Sequence, residues 1–310
     1  MQRIGVLALK IVSIILIVLA IYFIYDVLIQ HWDIARTGPA IVSYHYLISG
    51  ICIMQLYYLY QVALWRWVLS SYGQKVNFFD GCTFYFSNNL LAYIPGKMAN
   101  VIGIGLLAKK RGYSSQSAVT TVVLFQIYSL ISGTMLVAAS SFMTTKDAAL
   151  PVDWFWLFGI LSLLGLVLIS PRLQRRTLVL IAAATKKELI TSVPNFRTVI
   201  AQVGVYGLGW ILQGFALWCI YQALLPEDDW LSFWLLLAVY VSSYIVGLLA
   251  VLVPSGLGVL EAGLVLGLGT VIGAGHALWG AAMLRLVAVG LTLCSTVIVF
   301  LIEKRTKLVD

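Results

Sequence analysis

Long apolar runs separated by short polar segments fill almost the whole of this 310-residue chain. About 20 consecutive apolar residues in a helix are enough to cross a bilayer. Runs of that length lie at 8–30, 41–64, 116–142, 154–170, 198–224 and 277–302. The pattern therefore predicts an all-α, polytopic membrane protein with about six full transmembrane helices.

Two further apolar stretches, 77–108 and 231–273, are interrupted near the middle by proline and glycine. Each predicts two short helical arms joined by a break, which is a re-entrant hairpin that returns to the side from which it entered. Irregular backbone at membrane depth is costly unless it is buried in protein or lines a wet cavity. The two breaks are therefore the best sequence pointers to a binding site.

Composition supports the membrane assignment. The chain is 61% hydrophobic and only 10% charged, whereas a soluble domain is about a quarter charged. The formal net charge of +8 comes from basic residues that punctuate the apolar runs, which is typical of membrane topology rather than of nucleic-acid binding. The four cysteines and three histidines are scattered without metal-ligand spacing, so neither a metal nor a cofactor is predicted.

The distribution of lysine and arginine predicts the orientation. If the N-terminus is inside and both hairpins return to their own side, sixteen basic residues lie inside and two, Arg36 and Lys146, lie outside. Both termini are then cytoplasmic and the protein is a multi-pass protein of the cell inner (plasma) membrane. The basic linker 171–197 is predicted to lie at the cytoplasmic interface as amphipathic helix.

The two interrupted stretches resemble each other at an offset of 159 positions. The pairs at that offset are Pro95 and Pro254, Ala118 and Ala277, and Gln126 and Arg285. We interpret residues 1–310 as a single membrane domain with pseudo-repeat halves at about 41–142 and 198–302. One hairpin enters from each side in the predicted topology, so this is an inverted repeat of the kind found in many secondary transporters.

Lys97 lies at the tip of the first hairpin, where a half-helix at about 98–108 is predicted to begin. The free N–H groups and the positive dipole end of such a helix favour an anion. Together with the lysine charge they favour a lipid phosphate, and Asn88, Asn89 and Asn100 offer amide hydrogen bonds on the same hairpin.

Glu261 is predicted in the first turn of the second half-helix, and Arg285 about midway along the last helix. Glu261 is expected to pair with Arg285 or Lys97, or to carry a proton; a static Glu261–Arg285 ion pair is the alternative. The full predicted substrate-binding set is Asn88, Asn89, Pro95, Gly96, Lys97, Asn100, Gln126, Pro254, Gly256, Gly258, Glu261 and Arg285. No catalytic residue is predicted.

Residues 93–97, the turn 109–114, and residues 253–262 together with Arg285 resemble the lysylphosphatidylglycerol synthase transmembrane-region family. Many members follow the first Pro-Gly and its basic residue with Gly-Glu, whereas Met98-Ala99-Asn100 follows Lys97 here, so an acidic partner is missing. The resemblance implies lipid translocation between leaflets. Because the chain ends at Asp310, directly after its last helix, aminoacyl transfer is not expected.

The function expected from the sequence is that of a lipid flippase or transporter. Its substrate would be an anionic phospholipid or a polyprenyl-phosphate-linked lipid of the bacterial inner membrane. The alternatives are a non-catalytic membrane subunit of an envelope-lipid or glycan synthesis complex and, less favoured, a membrane-embedded lipid-phosphate enzyme. Membrane lipids are the expected partners and nucleic acid is not; a homodimer and contact with envelope-synthesis enzymes are left open.

Overall fold

The computed structural model describes residues 43–92, 98–143, 152–168, 170–172, 176, 193–226, 230–249 and 254–309. Its helices are α1 (Tyr44–Ser71), α2 (Phe78–Leu91), α3 (Met98–Lys110), α4 (Ser115–Met143), α5 (Val152–Leu168), α6 (Phe196–Gln222), α7 (Phe233–Leu249), α8 (Val259–Ile272) and α9 (Ala274–Val309), with a 3-10 turn at Pro254–Gly256. The described residues contain no strand, and the all-α prediction is confirmed. The predicted helix at 8–30 and most of the linker 171–197 lie outside the described residues.

Within the described residues, four helices are long and apolar enough to cross a membrane. They are α1, residues Ser115–Ser140 of α4, α6, and residues Ala274–Arg305 of α9. These correspond to four of the predicted spans. The span predicted at 154–170 forms α5, whose 17 residues are at the lower limit of the length that crosses a bilayer.

The two interrupted stretches form pairs of shorter helices. The first gives α2, with 14 residues, and α3, with 13 residues; the second gives α7, with 17 residues, and α8, with 14 residues. A helix of 13 or 14 residues is only about 20 Å long, compared with a hydrocarbon core of about 30 Å. The arms α2, α3 and α8 are therefore too short to cross a membrane alone.

Asparagine caps fix where two of the helices start. The Asn77 side chain accepts a hydrogen bond from Asp80 N at 2.8 Å at the start of α2. The Asn195 side chain accepts one from Thr198 N at 2.8 Å at the start of α6. Each cap satisfies an N–H group that the helix itself leaves free, typically stabilising the helix by about 1 kcal/mol.

The helices pack in a scheme that is the same for both halves of the chain. The first helices of the two halves, α1 and α6, lie against each other. Within each half the consecutive helices contact one another, α2 with α3 and α3 with α4, as α7 with α8 and α8 with α9. Between halves, α4 packs on α7 and α9 packs on α2. Exchanging α1–α4 with α6–α9 therefore leaves these contacts unchanged. The opposite orientation of the two halves in the membrane stays a prediction.

The interior and the exterior of this bundle are both apolar. Large side chains such as Tyr128, Phe84 and Tyr221 are fully buried between helices. Outward-facing apolar side chains include Leu163, Phe300 and Leu266, the last of which is 80% exposed. An apolar surface of this extent is unsuited to water and suited to lipid chains.

Polar contacts tie several helix ends together at one end of the bundle. Gln202 Nε2 donates to Ser71 Oγ at 2.9 Å, and Ser114 N donates to the Gln74 side chain at 3.2 Å. At the same end, the Arg111 guanidinium forms ion pairs with Asp80 and with Glu303 of α9. The described basic residues close to these contacts in the sequence are Arg66, Lys75, Lys109, Lys110, Arg111, Arg197, Lys304 and Arg305.

Tyr113 completes this network. Its hydroxyl donates to Asp80 Oδ2 at 2.6 Å, and that hydrogen bond raises the pKa of the Tyr113 phenol above its ordinary value. The Arg111–Glu303 contact brings the α3–α4 turn and the end of α9 together at one end of the bundle, and the predicted topology assigns both to the cytoplasmic side. Which side of the membrane this is stays a prediction.

Candidate functional site

The second break is built from residues with left-handed backbone. Ser255 has φ 48°, Gly256 has φ 63° and Gly258 has φ 79°. A Cβ added to Gly256 would lie 3.1 Å from Gly247 Cα, because the break passes directly against α7. Glycine meets both demands, since it adopts positive φ without steric cost and has no Cβ. The predicted site residue Pro254 starts this turn.

An ion pair joins this break to the last helix. Glu261 is in the first turn of α8, as predicted, and its Oε1 accepts a hydrogen bond from Arg285 Nε. Glu261 Oε2 accepts one from Gly258 N at 2.7 Å, and Arg285 Nη2 donates to the Ser255 carbonyl at 3.1 Å. The two side chains are only 12% and 15% exposed. Of the partners that the sequence left open for Glu261, Arg285 forms the pair seen here, and Lys97 lies outside the described residues.

The first break contributes amide side chains. Asn88 and Asn89 lie near the end of α2, and Asn100 is buried in the first turn of α3. The Asn88 Oδ1 atom is shielded and has no hydrogen-bond partner among the described residues. The tip residues Pro95, Gly96 and Lys97 lie outside the described residues.

These amides and Arg285 line one cavity of about 210 Å³ between the helices. Every described helix except α5 contributes to its wall. Its polar and aromatic lining consists of Asn88, Asn89, Asn100, Gln126, Gln213, Ser129, Ser255, Arg285, Thr292, Tyr57, Tyr58, Tyr85, Tyr206, Tyr240, Tyr244, Trp65 and Phe125. The structure thus brings five of the predicted site residues together.

A smaller cavity of about 90 Å³ adjoins the first one. Asn100, Gln126 and Ser255 line both cavities, and Gly256 is added in the smaller one. Residues of α3 and of the second break therefore face a common space. Gly258 and Glu261 do not line either cavity but hold the second break in place.

Gln126 and Arg285 occupy equivalent places in the two halves. The helices that carry them begin at Ser115 and Ala274, which are 159 positions apart (274 − 115) like Gln126 and Arg285 themselves. Both side chains line the same cavity. The offset first seen at the two breaks thus continues through the helices that follow them.

Sequence reasoning missed the tyrosines and Gln213. A tyrosine within an apolar helix follows the same pattern as an ordinary core residue, so Tyr57, Tyr206 or Tyr240 carries no separate signal. Gln213 could have been identified from the sequence, because an amide inside a predicted span needs a polar partner that lipid does not supply.

Long apolar helices, two interrupted helix pairs and a buried polar cavity between them define an all-helical, polytopic membrane protein with an internal site. The chain belongs to the family described as Lysylphosphatidylglycerol synthase TM region, whose model matches residues 10–295. The resemblance drawn from the break motifs is thereby confirmed. A comparison with curated proteins gives no match. Family membership indicates a function connected with membrane lipids.

Proposed function

We propose that this protein is a flippase that moves an anionic phospholipid or a polyprenyl-phosphate-linked lipid between the leaflets of the bacterial inner membrane. The observation that carries the proposal is the cavity of about 210 Å³ at which both interrupted helix pairs meet. In this proposal the headgroup occupies the cavity while the acyl or prenyl chains remain in the bilayer.

The position of the breaks supports a passage for a polar group. Helices as short as α3 and α8 cannot cross a membrane alone, so in the predicted topology the break that precedes each of them lies at membrane depth, in a medium without water. Such backbone is tolerated where it is buried in protein or lines a cavity. Ser255 and Gly256 of the second break line cavity walls, as this reasoning requires.

The start of α3 supports recognition of a phosphate. This helix begins at Met98, directly after Lys97, so its first N–H groups and the lysine charge are adjacent in the chain. Both favour an anion. Asn100 follows two residues into the helix and lines the cavity, which connects the proposed phosphate position with the space for the headgroup.

The contacts of Glu261 argue against a catalytic role for its carboxylate. One carboxylate oxygen accepts a hydrogen bond from Arg285 and the other accepts one from Gly258 N. A general base or nucleophile needs an oxygen directed at its substrate, whereas this carboxylate holds the break. We therefore propose a structural role for Glu261 and no enzymatic activity for the chain.

A reconstituted leaflet-exchange assay tests the proposal. Purified protein is placed in liposomes that carry a labelled phosphatidylglycerol or polyprenyl phosphate in one leaflet. We expect wild-type protein to exchange the labelled lipid faster than protein-free liposomes do. The exchange rate should fall about tenfold or more in Lys97→Ala and in Gln126→Ala, because each variant loses one charge-assisted or amide hydrogen bond to the headgroup.

Gln55→Ala is the matched control for Gln126→Ala. Gln55 lies in α1 and hydrogen-bonds Ser295 Oγ at 3.3 Å, away from the cavity, so its loss should leave exchange unchanged. If folded wild-type protein exchanges neither probe, the flippase proposal is wrong. The membrane-subunit alternative then becomes the one to test, by searching for a protein partner.

A further inference from the structure

The cationic side chain in the cavity wall is neutralised by a carboxylate of the protein itself. Arg285 is the cationic side chain among the described lining residues, and its guanidinium is bound to the Glu261 carboxylate and to the Ser255 carbonyl. A ligand group placed beside Arg285 therefore meets a neutral pair. A negatively charged ligand group gains little binding free energy beside this neutral pair. An uncharged group that forms hydrogen bonds is bound there just as well.

The rest of the polar lining consists of amides and hydroxyls. Asn89, Asn100, Gln126 and Gln213 are amides, which carry both donor and acceptor groups, and Asn100 Oδ1 already accepts a hydrogen bond from Val101 N at 2.9 Å. Four helices, α2, α3, α4 and α6, supply them, so these groups surround the space rather than forming one face. An array of paired donors and acceptors matches hydroxyl groups, which also donate and accept.

Tyrosine is the other feature of the wall. Tyr57 and Tyr58 of α1 have ring centroids 5.6 Å apart, and Tyr58 lies 6.2 Å from Tyr85 of α2. The Tyr58 hydroxyl donates to the Ala288 carbonyl at 3.2 Å, which fixes this ring against α9. A tyrosine combines an apolar ring with a hydroxyl. Tyrosines therefore suit a ligand that has both C–H surfaces and hydroxyl groups.

From these features we infer that the cavity binds an uncharged, hydroxyl-rich ring, a single sugar or a cyclic polyol, carried by the lipid beyond its phosphate. A volume of about 210 Å³ holds several water molecules and suits one ring rather than an oligosaccharide. The inference rests on the proposed function, because it assigns the headgroup of the lipid that this site would move. The phosphate itself is assigned to the start of α3 and not to this cavity.

Phosphatidylinositol and phosphatidic acid are the probes that isolate this property. The two lipids share the acyl chains and a phosphate and differ in the cyclic polyol. Phosphatidic acid also carries more negative charge, because its phosphate is a monoester, and this difference favours its binding at a cationic phosphate site and so works against the expected result. Binding to the purified protein is measured by native mass spectrometry in a polyoxyethylene detergent, since a maltoside detergent would itself present sugar. We expect phosphatidylinositol to bind about tenfold more tightly, the effect of roughly two additional net hydrogen bonds.

Cavity variants test whether the preference arises at this site. Gln213→Ala and Tyr244→Phe should reduce phosphatidylinositol binding and leave phosphatidic acid binding unchanged, and Gln55→Ala should change neither. Equal or tighter binding of phosphatidic acid by the wild type overturns the inference. So does a preference for phosphatidylinositol that both cavity variants retain in full.

Leaflet exchange of the same two lipids separates this inference from the flippase proposal. Exchange of both lipids at equal rates, with equal affinities, supports transport and overturns the hydroxyl-rich headgroup. Selective binding of phosphatidylinositol without exchange of either lipid supports the headgroup and overturns transport. Faster exchange of phosphatidylinositol together with tighter binding supports both.

Discussion

Gln126 and Arg285 lie 159 positions apart in the chain and face the same buried cavity, each from the helix that follows a break. The two positions differ in chemistry, because Gln126 is neutral whereas Arg285 carries a charge that Glu261 balances. The two halves thus supply equivalent positions with different side chains. A headgroup in the cavity meets an amide from one half and a bound guanidinium from the other.

The Glu261–Arg285 pair should act as one unit for stability. We expect Glu261→Gln and Arg285→Gln each to lower the free energy of unfolding by about 3 kcal/mol, because each leaves one buried charge without its partner. The double variant restores neutrality and should lose clearly less than the sum of the single losses. Thermal unfolding of the purified proteins in detergent measures this. Additive losses would mean that the two side chains act independently.

The second break should tolerate alanine at its glycines to different degrees. Gly256→Ala combines a positive φ with a Cβ only 3.1 Å from Gly247 Cα, whereas a Cβ at Gly258 would meet no described residue within 4 Å. We expect Gly258→Ala to destabilise the protein by about 1–2 kcal/mol from backbone strain alone, and Gly256→Ala to destabilise it more.

Gly290→Ala in α9 is the control for these two changes. Gly290 has open space around its Cβ position and does not have positive φ, so alanine there should be neutral or slightly stabilising. Melting temperatures should therefore rise from Gly256→Ala through Gly258→Ala to Gly290→Ala. Equal melting temperatures for the first two variants would show that the contact with Gly247 is not limiting.

The Tyr113–Asp80 hydrogen bond should make stability depend on alkaline pH. The pKa of Tyr113 is raised in the folded protein, so the folded state retains its proton longer than the unfolded state. Its contribution is fully present below the unfolded tyrosine pKa of about 10 and is lost as pH rises through the folded value. We expect Tyr113→Phe to have a lower melting temperature than wild type near neutral pH, with the difference shrinking at alkaline pH. A difference that is constant with pH would contradict this origin.

The predicted topology places Lys109 and Arg305 on the cytoplasmic side and Trp230 outside. Cysteines introduced at these positions, in a chain whose Cys52, Cys82, Cys219 and Cys294 are replaced by serine, report accessibility to a membrane-impermeant maleimide. We expect labelling of the cysteine at position 230 in intact cells, and labelling at 109 and 305 only after the membrane is opened. External labelling at 109 would reverse the orientation. Opposite results at 109 and 305 would contradict the Arg111–Glu303 contact.

The order of helices and breaks was determined by the sequence itself. A bilayer requires long apolar segments whose backbone is hydrogen-bonded internally, so helix positions follow directly from runs of apolar residues. Proline and glycine then mark where a helix must stop, and α3 begins at Met98 just after the predicted tip. The place of Glu261 in the first turn of α8 was predictable for the same local reason.

Only the tertiary structure decided which side chains meet. The sequence left Glu261 with two candidate partners, and the position of α9 against α8 brings Arg285 to it. Tyr57, Tyr206 and Tyr240 join the cavity because α1, α6 and α7 turn those faces inward. In a water-soluble helix a polar face would reveal that rotation, but a helix that is apolar all round carries no such mark. Its rotation is set by contacts with helices distant in the chain, and so is the cavity they enclose.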